Sequence, residues 1–239
     1  MDNAGYTSLT RQAGLLREMQ TVANNIANLS TTGFRREGVV FSEFVKDTGP
    51  GQQSLSMAAA HARHVDLSQG TLNRTNGQFD LAIEGDGFFL IEAPEGQQLT
   101  RAGAFMPNEM GDLVTAEGHP VLDAGGAPIF IPPDAANVAV ASDGTISADG
   151  QPVGQIGLWA PNDINDLHHQ SGTRFTAEGG VEPMIEGGRI LQGYVEGSNV
   201  DPVSEIARMI EVSRAYEMGQ GFMDKEDERI RSVIRTLGR

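Results

Sequence analysis

At 239 residues with 39% hydrophobic content, the chain has room for one large or two small domains, but its apolar share is low for a compact globule. It contains no cysteine, which excludes a disulfide framework and cysteine-ligated metal. The net charge of −15 sits in the middle: residues 46–200 carry six basic and twenty acidic side chains, against four and four before them and seven and eight after. That balance disfavours nucleic acid and anionic membrane, both of which need Lys and Arg against phosphate, and leaves near-neutral ends able to pack against copies of themselves.

Thirty glycines and eleven prolines without periodicity point to a β-rich module with many turns. No window approaches the roughly twenty apolar residues needed to span a membrane. The opening MDNAGYTSLTRQAG lacks the basic start and continuous apolar run of a cleavable signal, so the sequence reads as cytoplasmic or as exported by a route that needs none.

In chain order, Leu9, Ala13, Leu16, Met19, Val22, Ala23 and Ile26 recur at three- and four-residue steps, which predicts an apolar stripe on a helix from about Thr7 to Leu29. Its opposite face is polar, with Arg11, Arg17, Glu18 and Thr21. Asn24, Asn25 and Asn28 are unusual in such a helix because asparagine is a mediocre helix former. Two readings stand at this level: amides that face a packed neighbour and fix register, or a fraying end that runs into Ser30, Thr31, Thr32 and Gly33. From Lys46 to about Ala60 the composition is that of a linker, with nothing for the helix to pack on.

From about Asp66 the period changes to two. Phe79, Leu81 and Ile83 alternate with polar or small residues after the turn pair Asn76-Gly77, and Gly85-Asp86-Gly87 leads into the apolar run Phe88 to Ile91, which reads as strand, tight turn, strand. Further strands are expected at 113–115, 129–131, 138–141, 145–147 and 155–159, with turns at Asp143-Gly144 and Asp149-Gly150 and helix disfavoured throughout. After Gly187-Gly188 a helix begins with Asp201 as cap and Pro202 in the first position. Val203, Ile206, Ile210, Tyr216, Met223, Ile230, Ile234 and Leu237 follow at helical spacing. About 36 residues make a rod of roughly 54 Å, which propensity alone does not stabilise and which needs a partner helix.

Candidate chemistry is thin. His61 and His64 with Asp66 offer a weak ligand pattern, and His168-His169 would diverge in a strand or a helix. Glu84 and Asp86 flank a glycine turn, a spacing that would allow acid and base work on a sugar, but pairs arise by chance in so acidic a region and turn geometry explains Asp86. The segment 143–150 resembles a calcium loop only superficially, and a hairpin explains it better. No P-loop, nucleophile elbow or dinucleotide fingerprint occurs.

The segment VANNIANLSTTGFRR resembles the N-terminal signature of the flagellar rod and hook family, and LQGYVEGSNVDPVSEIARMIEVSRAYE its C-terminal signature. Between them, LAIEGDGFFLI and LTRAGAFMPNEMGDLVTAEGHPVL are similar to that family's β-domain, in the expected order over nearly the whole chain. The short length resembles a rod rather than a hook protein, and the start and compact middle the proximal-rod type, with the distal-rod type as the alternative. Arg35 stands where the family commonly has Lys, and Ser213 where it commonly has Gln.

The resemblance implies an α+β fold in which long N- and C-terminal helices pair as a coiled-coil-like layer, with an antiparallel β-rich domain inserted between them. The expected divisions are an N-terminal helix and assembly motif at 1–45, a linker at 46–65, a β-rich outer domain at 66–190 and an assembly helix at 191–239. It implies a torque-transmitting subunit of the flagellar basal-body rod in the periplasmic space. Its partners would be copies of itself, other rod proteins and, during secretion without a cleaved signal, the flagellar export apparatus. No enzyme activity, cofactor, metal, nucleic acid or membrane insertion is expected.

The motif residues carried over are Asn24, Asn25, Asn28, Thr32, Gly33 and Phe34 at one end and Ser198, Asn199, Val200, Arg214, Ala215, Tyr216 and Glu217 at the other. With Leu16, Val22, Ile26, Val203, Ile206, Ile210, Ile230 and Ile234 from the stripes, all but Ala215 make up the expected assembly surface. Mobile ends would expose Arg11, Arg17, Arg35, Arg36, Lys225 and Arg229 to trypsin first. A cell-wall glycan hydrolase working through Glu84 and Asp86, and a free-standing coiled-coil adaptor, are the rivals.

Overall fold

The computed structural model describes residues 2–46, 55–184 and 187–237, with side chains at 2–4, 6, 42–46 and 55–63 left aside. The chain divides into a helical unit, Met1–Ala27, Glu37–His64 and Asp201–Arg239, and a β unit, Asn28–Arg36 and Val65–Val200. The fold is α+β, with two α-helices and many antiparallel strands among the described residues.

The helical unit contains α1 (Asp2–Ala27), β1 (Glu37–Lys46), β2 (Leu55–Val65) and α2 (Pro202–Leu237). The start of α2 is the one its sequence predicts. Asp201 Oδ1 accepts from the Val203 amide at 3.1 Å and Oδ2 from the Ser204 hydroxyl at 2.6 Å, and Pro202 occupies the first turn, where its missing N–H costs nothing. Helix α1 stops at Ala27, short of Leu29, because Asn28 starts a turn: its carbonyl accepts from the Thr31 amide at 3.2 Å and its side chain from the Thr31 hydroxyl at 3.1 Å. Part of the stretch expected as linker is strand, since β1 and β2 pair as a two-stranded sheet. Residues 47–54 lie outside the described residues.

The β unit holds β3 (Leu72–Arg74), β4 (Leu81–Gly85), β5 (Phe89–Ala93), β6 (Gly96–Thr100), β7 (Phe105–Pro107), β8 (Leu113–Thr115), β9 (Val138–Val140), β10 (Thr145–Ala148), β11 (Gln151–Gln155), β12 (Trp159–Pro161), β13 (Leu167–Ser171), β14 (Arg174–Ala177), β15 (Val181–Pro183), β16 (Gly188–Gln192) and β17 (Tyr194–Glu196). The largest sheet runs β13-β14-β6-β5, the next β11-β10-β9, and four two-stranded pairs complete the set. Isolated bridges such as Phe88 to Trp159 and Ile91 to Val121 stitch them together. A short 3₁₀ turn at Ile164–Asp166 interrupts a region expected to be free of helix.

The strands on either side of Gly85-Asp86-Gly87 are not partners, contrary to a hairpin reading: β4 pairs with β16 and β5 with β6. Gly85 and Gly87 take φ of 101° and 107°, and a Cβ on Gly85 would lie 2.6 Å from the Gly187 carbonyl oxygen, so glycine here lets β16 come close. Asp149 and Gly150, at φ 48° and 82°, form the tight turn expected between β10 and β11.

The apolar run Phe88 to Ile91, which opens β5, is continuous because both of its faces are covered. Phe89 and Ile91 enter a cluster with Leu81, Ile83, Phe105 and Leu113, while Phe88 and Leu90 enter a second one with Leu99, Trp159 and Phe175. Phe89 meets Phe105 edge to face with ring centroids 5.1 Å apart.

Candidate assembly surfaces

In the helical unit four polar side chains of α1 face inward and much of its apolar stripe faces out. Gln12, Glu18, Thr21 and Asn25 are buried with Val22, whereas Leu9 and Leu16 are exposed. This reverses the expectation that Glu18 and Thr21 lie on the solvent face. The reason is that the inward polar groups find partners, without which burial would be costly. Glu18 Oε1 accepts from Arg208 Nε at 2.6 Å, and the Thr21 hydroxyl donates to the Arg17 carbonyl at 3.1 Å. Gln12 Nε2 donates to the Tyr216 carbonyl at 2.9 Å and lies only 2.2 Å from where a Cβ on Gly219 would be. Gly219, an apparent break in the α2 stripe, is thus the gap that admits Gln12.

Asn25 is wholly buried and spends its amide inside the chain. Its Oδ1 accepts from the Glu37 amide at 3.0 Å, and its Nδ2 donates to the Glu37 carbonyl at 2.8 Å and to Glu205 Oε2 at 3.2 Å. One side chain therefore satisfies both backbone groups of the first β1 residue and reaches the first turn of α2. Asn24 and Ile26 are half-buried. On α2 only Glu205 and Val212 are buried; Tyr216 is half-buried and Arg214 and Glu217 are exposed. Val203 is 75% exposed, Ile206 51% and Ile210 48%, and Met218, Phe222, Ile230 and Ile234 are open as well. Val203, Ile206 and Ile210, three and four residues apart, share one side of the helix, and exposed apolar side chains grouped in this way are candidates for an interaction surface.

The remaining motif residues belong to the β unit. Gly33, at φ 73°, donates its amide to the Glu196 carbonyl at 2.7 Å, and a Cβ there would fall 2.2 Å from the Ala102 amide nitrogen, so only glycine fits. Phe34 is fully buried and meets His169 edge to face at 6.0 Å. Asn28, Thr32, Ser198 and Asn199 are half-buried and Val200 is buried.

Beside them lies a charged cluster that motif reasoning missed. Arg35 and Glu196 are fully buried and joined at 2.7 Å; Arg101 donates from Nη1 to Glu196 Oε2 at 3.2 Å and from Nη2 to the Gly85 carbonyl at 2.7 Å. Glu196 Oε1 also accepts from the Gly70 amide at 2.7 Å. Burial pulls the Arg101 guanidinium down to about 10, against the opposing pull of Glu196, and the group lies 5.3 Å from the centre of the Phe88 ring. Arg35 is therefore not an open trypsin site, whereas Arg11, Arg17, Lys225 and Arg229 are exposed. The available signal was the place of Arg35 after a turn glycine and a buried Phe, which makes a surface position awkward.

Glu84 is bound to Arg189 at 2.5 Å, and that hydrogen bond holds its carboxyl below the ordinary range, the opposite of what a general acid needs. No cluster of three or more metal-ligating side chains occurs among the described residues; the His61 side chain lies outside them.

Three family profiles match in chain order: a flagella basal body rod protein profile over residues 6–35, the flagellar hook protein FlgE/F/G D1 domain over 82–148 and the flagellar basal body rod FlgEFG protein C-terminal region over 191–236. The flagellar basal-body rod protein FlgF of Caulobacter vibrioides is 42% identical, and that of Mesorhizobium japonicum 38% identical, each over 100% of this chain and 99% of the relative. The rod protein FlgG of Bacillus subtilis is 31% identical over 96% of this chain and 97% of its own length. With helical ends that expose apolar faces and a β unit that closes on itself, the chain belongs to the flagellar basal-body rod protein family.

Proposed function

We propose that the chain is a structural subunit of the flagellar rod that polymerises through the outward apolar faces of α1 and α2 and carries torque through the assembled helices. In this reading the two helices pair as a coiled-coil-like layer, residues 1–45 and 191–239 are the assembly segments and the β unit is the outer domain. The observation that carries it is the exposure of Val203, Ile206 and Ile210 on a helix whose inward face is already occupied. Higher identity to proteins named FlgF than to those named FlgG supports the proximal-rod type over the distal one. The partners would be further copies and other rod proteins, reached through the flagellar export apparatus into the periplasmic space. Replacing Ile206 and Ile210 with Asp should leave the purified chain folded yet abolish its incorporation into basal bodies and swimming. Normal rods built from that variant would contradict the proposal.

The hydrolase reading loses its general acid, because Glu84 is paired with Arg189 and Asp86 is an exposed turn residue. Asn25 acquires a different role from the one its motif suggested: with its amide engaged by Glu37 and Glu205, it sets register between α1, β1 and α2 of one chain.

A further inference from the structure

Three segments of the β unit meet at three of the four points where the chain enters or leaves it: 33–36, which continues into β1; 65–70, which begins on the last residue of β2; and 196–200, which leads into α2. Asn199 touches all of them. Its Oδ1 accepts from the Arg36 amide at 2.7 Å, and its Nδ2 donates to the carbonyls of Asp66 and Ser68, both at 2.9 Å. Its own amide donates to the Phe34 carbonyl at 3.4 Å, and the Asp66 amide donates to the Arg36 carbonyl at 2.8 Å. Immediately behind, Glu196 ties Arg35 and Gly70 together, and Arg35 Nη1 donates to the Ser68 carbonyl at 2.8 Å.

We propose that Asn199 is the positioning residue of a load-sharing joint that holds three of the four chain crossings of the β unit at fixed mutual spacing. The proposal rests on the rod reading. A single covalent exit under twist would load the hydrogen bonds at one strand end in sequence, and forced opening is governed by the rate at which such bonds fail. With the exits clasped, force on one is distributed over all three and over the buried Glu196 cluster behind them. Asparagine suits the position because it accepts on one side and donates twice on the other, which neither Asp nor Leu can do.

The test uses the full chain with Asn199→Ala and Asn199→Asp. Hydrogen exchange at the Arg36 amide should rise on the order of tenfold in Asn199→Ala, the loss expected for one hydrogen bond, and stay near the parent value in Asn199→Asp, which keeps the acceptor. Unchanged exchange in Asn199→Ala overturns the joint. In cells whose sole copy carries Asn199→Ala, speed relative to the parent should fall steeply as viscosity rises; complete failure to build rods would make Asn199 an assembly residue and overturn the joint. Load-independent swimming of that variant, in a background where deleting the chain abolishes motility, overturns the joint alone. A deletion strain that still swims overturns the rod reading and the load-sharing role with it.

Discussion

The β unit buries Phe89, Leu90, Ile91, Leu99 and Phe175 and, Glu196 apart, leaves its described acidic residues at least partly open to solvent, while α1 buries Gln12, Glu18, Thr21 and Asn25 and leaves Leu9 and Leu16 outside. One is the interior of a self-sufficient domain, and the other resembles part of an interface whose remaining half is elsewhere. The charge distribution follows the same division: no Lys or Arg occurs between Arg101 and Arg174, so copies of that stretch repel one another, whereas the terminal segments are near neutral. Cohesion by the helices and spacing by the β unit is the arrangement these differences favour.

The sharpest way to break the comparison is inside the β unit. Glu196→Ala leaves Arg35 and Arg101 buried around a missing carboxylate and should cost about 3–5 kcal/mol, read as a lowered urea midpoint. Leu90→Ala should cost about 2–5 kcal/mol by the same measurement. Leu16→Ala, on the outward face of α1, should change the free chain by no more than about 0.5 kcal/mol. Equal costs for the two leucines would erase the distinction between the units.

An effect between those of Leu90→Ala and Leu16→Ala is expected at Asn25. Asn25→Ala strands the Glu37 backbone groups and should cost the helical unit about 1–3 kcal/mol, seen as earlier loss of helical ellipticity on heating with the β transition unmoved. The smallest concerns acid. The Ser204 hydroxyl and then the Val203 amide hold the Asp201 carboxyl below its ordinary value of 3.8. A group whose folded value is depressed stabilises the fold above its unfolded value and loses that contribution as pH falls through the folded one. The first turn of α2 should therefore weaken only below about pH 4, and Asp201→Asn should flatten that dependence in an amide-exchange titration.

The sequence was most legible where local chemistry decides structure. Asp201-Pro202 announced α2, Asp149-Gly150 announced a tight turn, and the run from Phe88 to Ile91 announced a strand, whose cover on both sides the structure added. It was least legible where partners are distant. Nothing near Leu81 names Gln192 as its neighbour, and β2 hid inside a stretch of linker composition. Periodicity found the apolar stripe of α1 but could not say that much of it faces out, because the inward face is held by Gln12, Glu18 and Asn25, whose partners are distant in the chain. For the same reason Arg35 looked like a surface cation until Glu196, far along the chain, came beside it.

The central claim, that assembly covers the outward faces of the helices, can be read directly because the chain contains no cysteine. Single cysteines at Ile206, Ile210 and, as a β-unit control, the exposed Met110 would be treated with a maleimide in the free chain and in purified basal bodies. The account predicts that all three react in the free chain and that only the cysteine at position 110 still reacts in the rod. Helix cysteines that label as fast in basal bodies as in the free chain would contradict it.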